Sequence, residues 1–251
     1  MEKIAFPARP RVAKVGGMSN PIIVALDVAT AEQAVRLAEQ VAPSVGAFKI
    51  GSELFTSAGP DIVRRIRATG ASVFLDLKFH DIPNTVAKAV AAATRLDVQM
   101  LTIHTSGGLE MMQAAHTSAR ETAQRHRLPP PLVLGVTVLT SLNGQALAEI
   151  GLGGNVGQQV ERLAGLAVKA GLRGLVCSPL ELEALRPILP SEMQLVTPGI
   201  RAAEDASGDQ KRTLSAREAL AAGAHWLVIG RPIYAASNPR AAAETILASL
   251  G

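Results

Sequence analysis

The sequence predicts a single-domain α/β protein built as a closed (β/α)8 barrel, and three observations carry that expectation. The chain has 251 residues, close to the roughly 250 that such a barrel occupies. Eight short apolar runs rich in β-branched residues recur at 22–28, 47–51, 73–78, 100–105, 132–138, 174–178, 194–198 and 226–230. The stretches between them repeat apolar residues at helical spacing, and strands alternating with helices is the pattern of parallel βα units.

The elements follow in order. After the first run, Thr30 and Gln33 have capping-box spacing, and Ala31, Ala34, Val35, Ala38, Val41 and Ala42 share one helical face. The third run leads to Pro83, at a first-turn position, and into an Ala-rich helix through 86–93. Residues 160–170 and 241–250 also read as helices. Right-handed crossovers between eight parallel strands can close the sheet and remove its edges. A doubly wound open sheet is the competing architecture, but its nucleotide-binding form wants a glycine-rich turn after the first strand. Asp27-Val28-Ala29-Thr30 stands there instead.

Composition narrows the class. Hydrophobic residues at 48% and charged residues at 18% suit a globular chain and exclude disorder, collagen and coiled coil. No uninterrupted apolar run reaches the length of a membrane span, so no membrane partner is expected. Cys177 is the single cysteine and cannot form an internal disulfide, so a reducing, cytoplasmic setting is expected. Of the net charge of +4, Lys3, Arg9, Arg11 and Lys14 against Glu2 account for +3. The remainder is nearly neutral and holds no basic stripe for nucleic acid. Residues 1–20, with Pro7, Pro10, Gly16 and Gly17, read as a flexible leader without the apolar core of a secretory signal, and Met18 offers an alternative start. The barrel is expected over 21–251.

Charges interrupt the apolar pattern in one place. In Phe74-Leu75-Asp76-Leu77-Lys78-Phe79-His80-Asp81-Ile82-Pro83, alternation puts Asp76 and Lys78 on one face of a strand and Leu75 and Leu77 on the other. With the leucines against the helices, both charges point into the barrel, where each needs an opposite partner. Asp27 closes the first apolar run and Lys49 lies near the end of the second. Neighbouring strands can therefore bring Asp27, Lys49, Asp76 and Lys78 together at the C-terminal mouth, with Asp81 in the loop beyond. A register-fixing ion-pair network is the plain reading; four alternating charges on the rim where barrel enzymes do chemistry favour a catalytic one.

A second group closes the chain. Thr197-Pro198-Gly199-Ile200-Arg201 ends the seventh run and Ile229-Gly230-Arg231-Pro232 the eighth. Loops there commonly hold a phosphate through glycine amides and arginine forks. The small polar residues 202–213 suit a lid over such an anion. His80 and His104 lack metal-ligand company and read as structural, Cys177 as a buried apolar group, and Trp226 as core.

The block Asp76-Leu77-Lys78-Phe79-His80-Asp81-Ile82-Pro83-Asn84-Thr85 closely resembles the signature of the orotidine 5′-phosphate decarboxylase family, a TIM-barrel family. Ala25-Leu26-Asp27, Phe48-Lys49-Ile50-Gly51, Val138-Leu139-Thr140-Ser141, Thr197 to Arg201, Asp209-Gln210-Lys211-Arg212 and Ile229 to Pro232 resemble its other blocks, in order, from about residue 22 to 240. Residues 1–20 and Leu128-Pro129-Pro130-Pro131 depart from the family core without touching a motif position. The resemblance implies decarboxylation of orotidine 5′-phosphate to uridine 5′-phosphate with neither metal nor organic cofactor. It implies Lys78 as the cation near C6 and the proton donor, Asp76 against the departing carboxylate, and Lys49 and Asp27 holding the network and the ribose hydroxyls. It further implies a homodimer in which Asp81 reaches the neighbouring subunit's site, and it implies Ile82 and Thr85 as substrate-binding residues. Thr140 would contact the pyrimidine, Gln210, Arg201 and Arg231 with the Gly230 amide would hold the phosphate, and Pro198 would also contact the nucleotide.

Two rivals share parts of this pattern. A magnesium-dependent sugar-phosphate decarboxylase or aldolase of the same superfamily resembles the chain through Asp-x-Lys-x-x-Asp, and would lose activity to a chelator. A non-catalytic phosphate-ligand sensor on the same scaffold would need a damaged charge set, and Asp27, Lys49, Asp76 and Lys78 are all in place.

Overall fold

A computed structural model describes residues 20–200 and 214–250; the leader expectation for residues 1–19 lies outside them. Eight parallel strands close into a barrel in sequence order. They are β1 (Ile22–Ala25), β2 (Ala47–Gly51), β3 (Ser72–Phe79), β4 (Met100–His104), β5 (Leu132–Val136), β6 (Gly174–Val176), β7 (Gln194–Thr197) and β8 (Trp226–Ile229). The outer layer among the described residues comprises α1 (Ala31–Val41), α2 (Ser52–Ala58), α3 (Asp61–Ala68), α4 (Pro83–Thr94), α5 (Leu109–His126), α6 (Gly144–Glu149), α7 (Val156–Lys169), α8 (Leu182–Leu185), α9 (Ala216–Ala221), α10 (Arg231–Tyr234) and α11 (Pro239–Ser249). The expected closed barrel is therefore present, and the open doubly wound sheet is not.

Local chemistry sets the helix ends as the sequence indicates. Thr30 and Gln33 form the reciprocal capping box of α1, and Pro83 takes the first turn of α4, where its missing N–H costs no helical hydrogen bond. Six of the eight strands stop short of their apolar runs. The ladder ends at Ala25, His104, Val136, Val176, Thr197 and Ile229, so Asp27, Val138, Cys177, Pro198 and Gly230 lie just past their strands. Those residues line the barrel mouth: an apolar run continues beyond the ladder because the mouth needs a wall.

Alternation along the strands divides the core in two. Side chains on one face pack outward against helices as one large cluster that includes Ile22, Val24, Leu75 and Leu101. Side chains on the other face fill the barrel: Ile23, Ala25, Ala47, Phe74, Met100, Leu134, Val196, Trp226 and Val228. Trp226 is fully buried there, and its indole N–H donates to Gln194 Oε1 at 3.2 Å, which satisfies the ring's one polar group. This apolar plug closes the barrel beneath the next inward layer, to which Lys49, Asp76 and Thr102 belong by alternation from Ala47, Phe74 and Met100.

His225 sits at the entry to β8, buried, with Nδ1 accepting the Leu195 N–H at 3.1 Å. Burial, aided by the nearby Arg186 guanidinium, pushes its pKa down to about 4. The folded protein thus refuses a proton that the unfolded chain takes up near the ordinary value of 6.5, and stability falls as pH drops from that value toward the folded one. Urea unfolding at pH 7 and pH 5 should show His225→Gln losing less stability over that interval than the parent; equal losses would remove His225 from the linkage.

Candidate active site

The C-terminal mouth of the barrel opens into a cavity of about 660 Å³, within the range that holds a small-molecule ligand. One side is charged. The Lys49 ammonium donates to Asp27 Oδ1 at 3.1 Å and lies 3.8 Å from Asp76 Oδ2. The Lys78 ammonium donates to both Asp76 oxygens at 2.9 Å. Asp27, Lys49, Asp76 and Lys78 therefore form one chain of alternating sign across β1, β2 and β3, as the alternation argument requires. Gly51 makes room for it: a Cβ at that position would lie 3.1 Å from Lys49 Nζ and 3.6 Å from Asp27 Oδ1.

Asp76 is the hub. Its side chain is 13% exposed against 35% for Lys78 and 49% for Asp27. Burial works against its ionisation, but the Lys49 and Lys78 ammoniums, with hydrogen bonds from Lys78 and Thr102, outweigh burial and hold the carboxyl below its usual value. The Thr102 hydroxyl donates to Asp76 Oδ1 at 2.9 Å, an additional anchor that sequence reading missed because a lone threonine in an apolar strand carries no signal.

The backbone beneath this network is irregular. Lys78 has φ of +49°, a left-handed conformation uncommon outside glycine, and the β3–β4 register shifts between Leu75 and Phe79. Leu75, Leu77 and Phe79 nevertheless line a shared recess beside α3 and α4, so the outward face keeps its alternation while Asp76 and Lys78 point into the mouth.

The rest of the rim carries Thr140 from the loop after β5, Pro198 just past β7, and Gly230 and Arg231 at the end of β8, which neighbours β1. Glu53, Phe74, Cys177 and Tyr234 also line the cavity, and sequence reading did not assign any of them to the site. Cys177 is buried, and burial drives its thiol far above the ordinary range, which keeps it protonated and unreactive. Asp81, Ile82 and Thr85 are exposed and are not part of their own chain's cavity wall. Asp81 Oδ1 instead accepts the Ile82 N–H at 2.6 Å, and Ile82 is 65% exposed. Arg201 and Gln210, with the expected lid at 202–213, lie outside the described residues; Ile200 and Leu214, on either side, pair in a parallel bridge.

His80 and His104 sit side by side with ring centroids 5.4 Å apart. Burial, then His80 and Lys78, lower the pKa of His104. Among the described residues no group of three or more His, Cys, Asp or Glu side chains is placed to hold a metal ion, and no helix is long and apolar enough to cross a membrane.

Fold and site together define a (β/α)8 barrel of the enzyme type, with its charged groups gathered at the carboxyl ends of the strands. The family model for the orotidine 5′-phosphate decarboxylase / HUMPS family matches residues 20–246, and the chain belongs to that family. Orotidine 5′-phosphate decarboxylase of Pseudomonas syringae pathovar tomato is 54% identical over 231 residues, covering 92% of this chain and 97% of the relative. Its counterpart from Pseudomonas aeruginosa is 53% identical over 232 residues, 92% and 98% of the two chains. Among solved structures, orotidine 5′-phosphate decarboxylase from Lactobacillus acidophilus superposes with a TM-score of 0.83 at 34% identity, covering 93% of this chain and all of that one. The enzyme from Pyrococcus horikoshii gives 0.73 at 26% identity, covering 91% and 98%.

Because the Asp76 carboxyl is held below its usual value, the stability it contributes is present above the unfolded pKa and is lost as pH falls through the folded one. Asp76→Asn removes the negative charge between two ammoniums and should lower stability by about 1–3 kcal/mol at pH 7. Urea denaturation should show that difference shrinking as the parent approaches pH 3; a deficit independent of pH would assign it to packing instead.

Proposed function

We propose that this chain is an orotidine 5′-phosphate decarboxylase that releases the C6 carboxylate as carbon dioxide, leaves uridine 5′-phosphate, and so serves pyrimidine nucleotide synthesis. The observation that carries the reading is the Asp27–Lys49–Asp76–Lys78 network in one cavity with Gly230 and Arg231. The network offers alternating charge for a ring that gains and loses charge. The turn at Gly230 and Arg231 offers an amide and a guanidinium for a phosphate.

The C6–carboxylate bond breaks heterolytically: its electron pair stays on C6 in an sp² orbital, and carbon dioxide departs neutral. The ring has no conventional sink for that pair, so the site must stabilise it by charge. The Lys78 ammonium, fixed by Asp76 before substrate arrives, favours the carbanion more than the ground state and needs no reorganisation as charge develops. It then transfers a proton from Nζ to C6 and regains one from solvent. Asp76 holds the Lys78 ammonium in place and stands beside the departing carboxylate; Lys49 and Asp27 hold Asp76 and the ribose hydroxyls. Thr140 contacts the pyrimidine, and Pro198, Gly230 and Arg231, with Arg201 and Gln210, take the rest of the nucleotide. Gripping a remote phosphate lets binding energy be spent on orienting the ring.

The working unit in this reading is a homodimer with shared sites. Asp81, Ile82 and Thr85 project from the loop after β3 and the start of α4 without lining their own cavity, and Ile82 exposes a large apolar side chain there. A neighbouring subunit's site gives all three a use. The single buried Cys177 suits a reducing, cytoplasmic setting, and the nearly neutral barrel offers nucleic acid no basic stripe.

Following the loss of orotidine 5′-phosphate absorbance with a chelator present tests the reaction class: the parent should turn over, whereas a magnesium-dependent relative would stop. Lys78→Ala should lower kcat on the order of 10³-fold or more, and a variant that keeps parental activity removes Lys78 from its role. Shared sites predict that Lys78→Ala and Asp81→Asn subunits, each inactive or weak alone, regain up to about a quarter of parental activity when mixed, since a mixed dimer holds one intact site. Absence of any recovery, with mixed dimers confirmed by mass, counts against sharing.

A further inference from the structure

We infer that Thr102, on β4, is a positioning residue for the decarboxylation: its hydroxyl locks the Asp76–Lys78 pair and the backbone that presents it. The inference rests on the reaction proposed above and adds a residue that touches no reacting atom.

Three observations converge on it. The first is the register. Leu75 pairs with Leu101 and Phe79 with Ile103, so β3 advances four residues while β4 advances two. Asp76, Leu77 and Lys78 thus bulge away from a regular ladder, opposite Thr102. The second is the backbone. Lys78 adopts φ of +49°, a conformation that a lysine leaves unless its surroundings hold it. A bulge also strips backbone groups of their ladder partners, and a buried N–H without a partner is costly. The third is the hydroxyl. Thr102 is fully buried, and its Oγ1 accepts the Lys78 N–H at 2.9 Å while donating to Asp76 Oδ1 at 2.9 Å.

A hydroxyl has one proton to give. Here it goes to the carboxylate, and a lone pair takes the displaced amide, so both jobs are done by one atom in one rotamer. The consequence reaches the ammonium. The main chain of Lys78 is pinned at N–H, and the Asp76 oxygen that its Nζ touches is pinned by the same hydroxyl. Nζ is therefore held at both ends of the path that leads to it. Removing the hydroxyl frees the amide, relaxes the strained φ and loosens the carboxylate, so the ammonium loses its fixed position at C6 without any substrate contact being deleted.

Thr102→Val keeps the side-chain shape and removes both hydrogen bonds; Thr102→Ser keeps the hydroxyl. With parental decarboxylation established first, Thr102→Val should lower kcat about 10- to 100-fold with KM within about threefold of parent. Its acid limb should move to higher pH, because Asp76 loses a donor that favours its ionised form. Thr102→Ser should recover most of the loss. Thermal melts on both variants identify unfolding directly. A folded Thr102→Val with parental kcat overturns the inference, and so does a folded Thr102→Ser as impaired as Thr102→Val. Inactive parent enzyme would instead overturn the reaction itself.

Discussion

The carboxylate of Asp76, held largely out of water between two ammonium groups, is the interaction on which the mouth of this barrel depends. Withdrawing one charge from water costs several kcal/mol, and a single partner seldom repays it. Asp76 has Lys78 bidentate at 2.9 Å, Lys49 at 3.8 Å and a hydroxyl at 2.9 Å. Asp27 then balances Lys49 on the far side, so the row is formally neutral with its signs alternating. Such a row can sit in a partly desolvated cleft without an uncompensated charge, and yet each member remains strongly polarising over the few ångströms at which a ligand would contact it.

Closure of the sheet turns that row into a fixed instrument. Consecutive parallel strands place side chains of matching register side by side, and β1 meets β8 as readily as β2. The alternating charged row from β1 to β3 and the Gly230–Arg231 turn at the end of β8 are thereby joined through a continuous hydrogen-bonded cylinder with no free edge. The apolar plug of Phe74, Met100, Leu134, Val196, Trp226 and Val228 supports the floor from below. Helix α4, begun at Pro83 directly after the signature loop, holds the far end of β3 and carries Thr85 outward.

Most of this was readable from residue order because it follows from periodicity. Asp76 and Lys78 at i and i+2 among leucines, Asp27 and Lys49 at the ends of apolar runs, Thr30 with Gln33, and Pro83 at a first turn are all local patterns with one geometric meaning. What escaped is what depends on two strands at once. Thr102 is an ordinary threonine within an apolar strand until the β3 bulge opposite it is known, and a bulge has no signature in Ser72 to Phe79. Glu53, Phe74, Cys177 and Tyr234 escaped for a related reason: they reach the cavity by tertiary placement, from α2, β3, the end of β6 and α10. Strand ends were overextended at residues such as Val138 and Pro198, because apolar character there serves the cavity wall and not the ladder.

The exposures within the network also fit the division of labour in the proposed mechanism. A group that must stay ionised through every turnover gains from enclosure among donors, and Asp76 has the least exposed carboxylate of the row. A group that gives a proton away must recover one, and Lys78, at 35% exposed, keeps a path to solvent that Lys49, at 13%, largely lacks. Two lysines that look equivalent in sequence are thereby separated by physics: Lys49 is enclosed between two carboxylates and suited to holding, whereas Lys78 bonds one carboxylate, faces the cavity and is suited to exchange. The left-handed backbone at Lys78 belongs to the same distinction. A regular strand would carry the chain on in register with β4, and the local strain, opposed by the buried hydroxyl of Thr102, is the cost of turning one ammonium out of the ladder and toward the ligand.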